Sequence, residues 1–321
     1  MSFSQVIGHE VPVKILKSIL KENRLGVSFL FYGPSGVGKA FAARQFAKAM
    51  NCQNQDGESC DDCHSCKKID KTEFPDLHWL DITEGQENIK IEQIRSMRQE
   101  MNLRPFQAAH KVFIINDCHN MKLEAANCLL KVLEEPASDA IVILITSKLN
   151  LLLPTIVSRC QKIKFSSLCR NHAQEILEGS YKLSKDYSRY LAYYLDGRLG
   201  EAITLSKQNL LEQRDNILNK FLYNFDSLYL AGVFEDKDEA RKSLAILAAW
   251  FRDMMFSKFE INKECFINRD RAQDVIRESG RYSEDELMDV LGSLSKSLEY
   301  LKKNINTKLL IEELRLKIWK N

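Results

Sequence analysis

Hydrophobic positions follow two regimes along the chain, with the change near residue 168. In the first regime, short apolar runs alternate with helical stripes. Val13, Ile15, Leu16, Ile19 and Leu20 recur at helical spacing over residues 12–24, with Pro12 tolerated in the first turn. Residues 27–32 form a compact apolar run closed by Gly33-Pro34, which predicts a buried strand ending in a loop. Residues 39–50 return to helical spacing. Two more buried strands are predicted at 112–115 and 141–145, separated by a helix over 123–133 that Pro136 stops. Strands alternating with helices predict a parallel sheet covered on both faces, an α/β domain over residues 1–166.

In the second regime the strand signal is gone. Asp196-Gly197-Arg198-Leu199-Gly200 marks a turn between helices, and residues 240–256, 284–301 and 308–319 are amphipathic, as in a helical bundle. Composition refines this picture rather than changing it. Hydrophobic residues at 45% and charged residues at 28% of 321 positions are ordinary for a globular protein, which excludes disordered and collagen-like classes. With 46 basic against 44 acidic residues, any contact with DNA must come from a local patch or a shared assembly surface. No apolar run approaches the roughly 18 residues needed to span a bilayer, and the opening residues do not resemble a secretory signal, so a cytoplasmic protein without a membrane partner is expected.

Candidate chemistry gathers at three places. Gly33-Pro34-Ser35-Gly36-Val37-Gly38-Lys39 stands between a strand and a helix, where Gly33, Gly36 and Gly38 bring backbone amides to a phosphate and Lys39 adds positive charge. The next residue is Ala40, which has no hydroxyl for magnesium. The strand run Val112-Phe113-Ile114-Ile115 leads into Asn116-Asp117-Cys118-His119. A phosphate-loop ATPase carries a magnesium-holding acid where this chain has the neutral Asn116, and Asp117 takes the position of a water-orienting glutamate. The third place is Cys52, Cys60, Cys63 and Cys66, with seven, two and two residues between successive members. This spacing suits a structural zinc ion in a four-thiolate cage, an iron–sulfur cluster or redox dithiol being weaker alternatives. His64 is a conceivable substitute ligand, expected to be exposed. Cys118, Cys128, Cys160, Cys169 and Cys265 lack such spacing and are expected to be buried free thiols.

Taken in order, these residues resemble the clamp-loader subunits of bacterial DNA polymerase III, of the AAA+ superfamily. Phe3-Ser4-Gln5-Val6-Ile7-Gly8-His9 is similar to the family's N-terminal base-binding segment, with His9 where glutamine is common. The stretch from Ala125-Ala126-Asn127 to Leu133-Glu134-Glu135-Pro136 resembles a highly specific family signature, and Ser158-Arg159-Cys160 matches the motif that offers an arginine to a neighbour's nucleotide. The resemblance implies that Thr146, with Ser147, lies near the first phosphate sensor. It also implies that Gly200 replaces the second sensor, an arginine; Arg198 is two positions away, roughly 200° around a helix. The implied fold class is α/β: an AAA+ P-loop core over 1–166 with a zinc insertion at 52–66, an all-α lid over 167–207 and an all-α C-terminal collar over 208–321, ending in the stretch 304–314.

Ala40, Asn116 and Gly200 each remove a group that handles metal or phosphate, while Arg159 is kept. This pattern predicts a subunit without independent ATPase activity that completes a neighbour's site, binding ATP or ADP weakly and without firmly held magnesium. The resemblance implies as partners the gamma/tau ATPase subunits and the delta subunit, with the sliding clamp and primer–template DNA met through the assembly. The competing enzyme reading is an active ATPase motor of the same loader. A third reading makes the cysteine cluster a DNA-binding finger through Lys67 and Lys68, against which stand Asp56, Glu58, Asp61 and Asp62. Arg95 and Arg98, on one helix, are candidates for DNA contact or simply solvated arginines.

Overall fold

The structure, a computed structural model, describes residues 2–22, 28–54, 58–83, 86–135, 140–220, 236–301 and 307–318. It divides into two compact units, Met1–Leu168 with Arg198–Glu201, and Cys169–Gly197 with Ala202–Asn321.

The first unit is built on five strands, β1 (Ser28–Tyr32), β2 (Leu77–Leu80), β3 (Lys111–Ile115), β4 (Ala140–Thr146) and β5 (Cys160–Lys164), in the order β2-β3-β4-β1-β5. Every pairing is parallel, with Phe29 of β1 opposite Ile143 of β4 and Gln161 of β5. All residues of β3 and β4 are buried, so these strands read as continuous apolar runs rather than alternations. The three predicted strands are the central ones. Two further strands close the edges and escape the hydrophobic pattern: β2 is half-buried throughout, and β5 exposes Gln161, Lys162 and Lys164. Polar residues on an edge strand guard its unpaired backbone, which is why they hide the strand signal. Val27 and Pro136, which bounded two predicted elements, lie outside the described residues.

Strand alternation sends Phe29, Phe31, Val112, Ile114, Ile141 and Ile143 to one face, against α1 (Glu10–Lys21) and α2 (Lys39–Met50). Leu30, Phe113, Ile115, Val142 and Leu144 go to the other, against α4 (Ile91–Met101) and α5 (Leu123–Glu134). A short helix α3 (His64–Asp70), capped by Cys63, carries Cys66, so the insertion is partly helical. Helix α6 (Pro154–Ser158) leads into β5, with Pro154 at its first turn.

The second unit contains α7 (Arg170–Gly179), α8 (Lys185–Tyr194), α10 (Leu210–Leu218), α11 (Lys237–Lys258), α12 (Ala272–Ser279), α13 (Glu284–Tyr300) and α14 (Thr307–Ile318). Helix α9 (Leu199–Leu205) begins within the Arg198–Glu201 segment of the first unit. Asp196 and Gly197 take φ of 51° and 71°, making the turn expected there. The three predicted C-terminal helices correspond to α11, α13 and α14; Trp319 and residues 304–306 lie outside the described residues. Leu244, Leu247, Trp250, Phe251 and Met254 of α11 pack with Leu287, Val290 and Leu294 of α13 in one apolar core. Buried ion pairs brace it. Arg214, 1% exposed, forks onto Asp270 at 2.7 and 2.8 Å and lies over the Tyr190 ring at 5.0 Å. Among the described residues, no helix is long and apolar enough to cross a membrane.

Candidate nucleotide, arginine and metal sites

The glycine loop leaves the carboxyl end of β1, an interior strand, and feeds α2 at the edge where open parallel sheets bind ligands. Gly33 has a φ of 145°, and a Cβ there would stand 1.9 Å from the Phe165 carbonyl oxygen, so no other residue fits. Gly38, also left-handed, caps α2. Lys39 turns back on the loop and donates to Gly33 O at 2.8 Å and Pro34 O at 2.5 Å. Burial pushes its ammonium down to about 8, with Asp117 pulling the other way. His9 is buried as well; its Nε2 lies 2.7 Å from Val37 O and its ring meets Phe165 edge-on. Burial lowers its pKa.

The chain itself approaches the loop from outside. The Glu201 amide donates to Gly36 O at 2.8 Å, and a Cβ at Gly200 would lie 2.8 Å from Gly36 O and 3.2 Å from Gly38 N. Glycine at 200 therefore permits backbone to lie against the Gly36 carbonyl and the Gly38 amide of the loop. The Glu201 side chain packs on Gly36 and pairs with Arg198, bringing a carboxylate to the loop.

Asn116 follows β3 and donates through Nδ2 to Asp81 Oδ1 at 2.8 Å. Asp117, half-exposed and left-handed at φ 44°, is 3.9 Å from His119 Nδ1. Thr146 ends β4 fully buried; its Oγ1 accepts from the Lys148 amide at 3.0 Å and lies 3.3 Å from His119 Nδ1. Ala40 packs among apolar groups of the sheet face.

Arg159 caps the end of α6 and is 37% exposed. Its Nη2 donates to Glu134 Oε1 at 2.7 Å and its Nη1 to Thr155 O at 3.1 Å. A cleft of about 860 Å³ opens beside it, lined by Lys148, Leu152, Val157, Ser158, Cys160 and Lys162 among others.

The sulfurs of Cys52, Cys60, Cys63 and Cys66 all lie within 4.8 Å of one another, with Cys60 Sγ 4.0 Å from Cys66 Sγ. Tetrahedral zinc with bonds of about 2.3 Å places its sulfurs about 3.8 Å apart, so the cluster fits that ion. Amides of Cys60 and Cys63 reach Cys52 Sγ and Cys60 Sγ at 3.3 Å, and that of Cys66 reaches Cys63 Sγ at 3.5 Å. Hydrogen bonds from the Asp62 and Cys63 amides draw the Cys60 thiol down to about 6, favouring the thiolate a metal needs. His64 is exposed and stands outside the cluster. Lys48, buried on α2, ties the insertion down by ion pairs to Asp61 at 2.8 Å and Asp70 at 2.5 Å. Lys67 is paired with Asp62 at 2.6 Å. Of the remaining cysteines, Cys118 and Cys160 are buried and Cys128 half-buried, but Cys169 and Cys265 are exposed, contrary to expectation. Both sit in connections at the ends of helical turns, where no core covers them. Arg95 and Arg98 are exposed on α4, whose Ile94, Met97 and Met101 are buried.

Lys48, Asp81, His119, Glu134 and Glu201 were not singled out from the sequence as site residues. His119 and Glu134 lie inside recognised motifs, so position relative to the motif was a usable signal; Lys48, Asp81 and Glu201 carried none.

Sheet order, loop position and a helical second unit define an AAA+-type P-loop protein. A Thermotoga maritima DNA polymerase III gamma subunit-related protein shares the fold, with 22% identity and a TM-score of 0.52 over 96% of this chain and 98% of that one. The family described as DNA polymerase III, delta subunit, matches residues 8–169, and its C-terminal counterpart matches residues 208–319. The chain belongs to this family of DNA polymerase III clamp-loader subunits. It is 28% identical to DNA polymerase III subunit delta' of Bacillus subtilis, over 95% of this chain and 94% of that one. With DNA polymerase III subunit tau of the same organism it shares 27% identity, over 98% of this chain and 61% of that longer one.

Proposed function

We propose that this chain is a non-hydrolysing clamp-loader subunit that presents Arg159 to nucleotide held by a neighbouring ATPase subunit. The observation that carries the reading is the Gly200–Glu201 backbone lying against Gly36 and Gly38. That backbone crowds the loop at the Gly36 carbonyl and the Gly38 amide, which narrows the approach of a phosphate, and Ala40 and Asn116 offer no charge or hydroxyl for magnesium in return. Arg159, by contrast, is exposed and held by its terminal nitrogens, leaving other guanidinium protons for an incoming phosphate.

On this reading Gly33, Gly36, Gly38, Lys39, Asp117 and Thr146 are the remains of a nucleotide site that binds ATP or ADP weakly. Zinc is the ion of the four cysteines, and its role is structural. The partners are gamma/tau-type ATPase subunits and a delta subunit, with the sliding clamp and primer–template DNA engaged in the cytoplasm through the assembly. Residues 1–166 serve as core, 167–207 as lid and 208–321 as the collar that joins subunits. The pairing of Lys67 with Asp62 disfavours the cysteine module as a DNA reader.

The test is ATP hydrolysis by the purified chain alone and by a reconstituted loader carrying wild type or Arg159→Ala. The chain alone should be inactive, and the substitution should lower loader turnover, an arginine finger being worth about 10³-fold or more at the site it serves. Magnesium-dependent hydrolysis by the lone chain, abolished by Lys39→Ala, would instead establish the motor reading.

A further inference from the structure

We infer that Glu134 is the positioning residue for Arg159, setting the guanidinium in the orientation in which a neighbour's phosphate meets it; this rests on the trans-arginine reading above. The two side chains come from different elements, Glu134 from the last turn of α5 and Arg159 from the end of α6. Glu134 Oε1 receives Nη2 at 2.7 Å, and Thr155 O receives Nη1 at 3.1 Å. Two acceptors on two nitrogens fix the plane of the guanidinium as well as its position. Nε and the second proton of each terminal nitrogen are not used by these two bonds, so the arginine is oriented without being consumed.

Energetics favour positioning over stabilisation. The pair is half-exposed, 37% on the arginine and 48% on the glutamate, and ion pairs at such exposure add little to folding. An arginine is a long side chain with much rotamer freedom, and catalysis by a charge in trans depends on placing that charge within a fraction of an ångström. Ordering the side chain before the neighbour arrives removes that cost from the catalytic step.

The experiment measures ATP turnover of the reconstituted loader with wild type, Glu134→Ala, Arg159→Ala and the double variant. The Arg159-dependent rate is the difference between wild type and Arg159→Ala. Glu134→Ala is expected to lower that rate about tenfold, through kcat with KM for ATP unchanged, and to cause no further loss in the Arg159→Ala background. The inference is overturned if Glu134→Ala leaves the Arg159-dependent rate intact, if it acts through KM, or if its loss is as large without Arg159. Should Glu134→Ala fail to assemble, Glu134→Leu, which keeps the bulk and removes the acceptor, serves under the same criteria, and Glu134→Gln, which keeps an acceptor oxygen, should restore much of the rate. If Arg159→Ala itself leaves turnover unaltered, the trans-arginine reading has failed and this inference falls with it; a defect in Arg159→Ala alone sinks only the role of Glu134.

Discussion

The two units hold their buried charge in different ways. In the first, most buried polar groups bond to main chain: Lys39 to the Gly33 and Pro34 carbonyls, His9 to that of Val37, and Asp76 to the amides of Phe106, Gln107 and Ala108 at 2.8 to 2.9 Å, with Lys48, paired to Asp61 and Asp70, departing from the rule. In the second, charged side chains bond largely to one another. Arg214 engages Asp270 and Asp215, and Arg271 engages Asp215 and Asp274. Asp253 and Arg189 are exceptions, Asp253 accepting from the Ile267 and Asn268 amides at 3.1 and 2.7 Å and Arg189 donating to the Glu264 carbonyl. Side chains that bond to backbone shape loops, which suits a unit whose chemistry lies at the ends of strands. Ion pairs between connections and helices clamp elements together, which suits a unit that must hold its form.

The largest expected effect separates the units outright. Removing zinc by chelation, or substituting Cys66→Ser, should abolish stoichiometric zinc and hydrogen-exchange protection across residues 58–70. Structural zinc typically contributes about 10 kcal/mol to folding of its module. Exchange in α11 and α13 should be unchanged, and loss of protection there would break the comparison.

Smaller, but decisive for the second unit, is Arg214→Ala. Removing the buried arginine leaves Asp270, 26% exposed, without its counter-ion and should cost about 3 kcal/mol, the low end for a broken buried pair, read as a fall in the denaturation midpoint of that unit. Arg214→Met, which fills the same space but also leaves Asp270, should recover only the packing share. A neutral Arg214→Ala would show that the apolar core around Trp250 suffices by itself.

The smallest effect is a pH response of opposite sign in the two units. His9, His78 and His119 all lie in the first unit, and burial is the main cause that holds each below the usual 6.5. The unfolded chain takes up their protons near 6.5 and the folded one only at lower pH. Stability of the first unit should therefore be full above 6.5 and fall as pH drops below it, because protons then bind the unfolded chain more readily than the folded one. In the second unit, burial raises Asp253 above 3.8, with the Asn268 and Ile267 amides opposing. Its carboxyl favours the neutral form on folding, so acidification through that range relieves a cost there. Hydrogen exchange of β3 and α11 peptides, corrected for intrinsic rates between pH 7.5 and about 4, should show the first loosening without the second; equal loosening would refute the assignment.

Legibility followed the range of the interactions. The glycine loop, the cysteine spacing and the three central strands are local patterns, each contained within about 15 residues, and each was readable. The edge strands β2 and β5 were not, because their half-buried and lysine-bearing positions lack the apolar run that marks a strand with two neighbours. The bond of Asn116 to Asp81 spans 35 positions, that of Arg159 to Glu134 spans 25, and that of Arg214 to Asp270 spans 56. No periodicity connects such residues.

By itself the sequence determined the chemistry available: which loop can turn toward phosphate, which hydroxyl and which acid are missing beside it, and which four thiols can share an ion. Those properties belong to residue types at short spacing, and folding does not alter them. Tertiary structure alone decided what surrounds each group, namely that Gly200 lies against the glycine loop, that Lys48 pairs with Asp61 beside the cysteines and that Glu134 bonds to Arg159. Contacts of that kind arise only when the sheet brings distant segments together, since their energy depends on a separation through space that the chain does not encode locally.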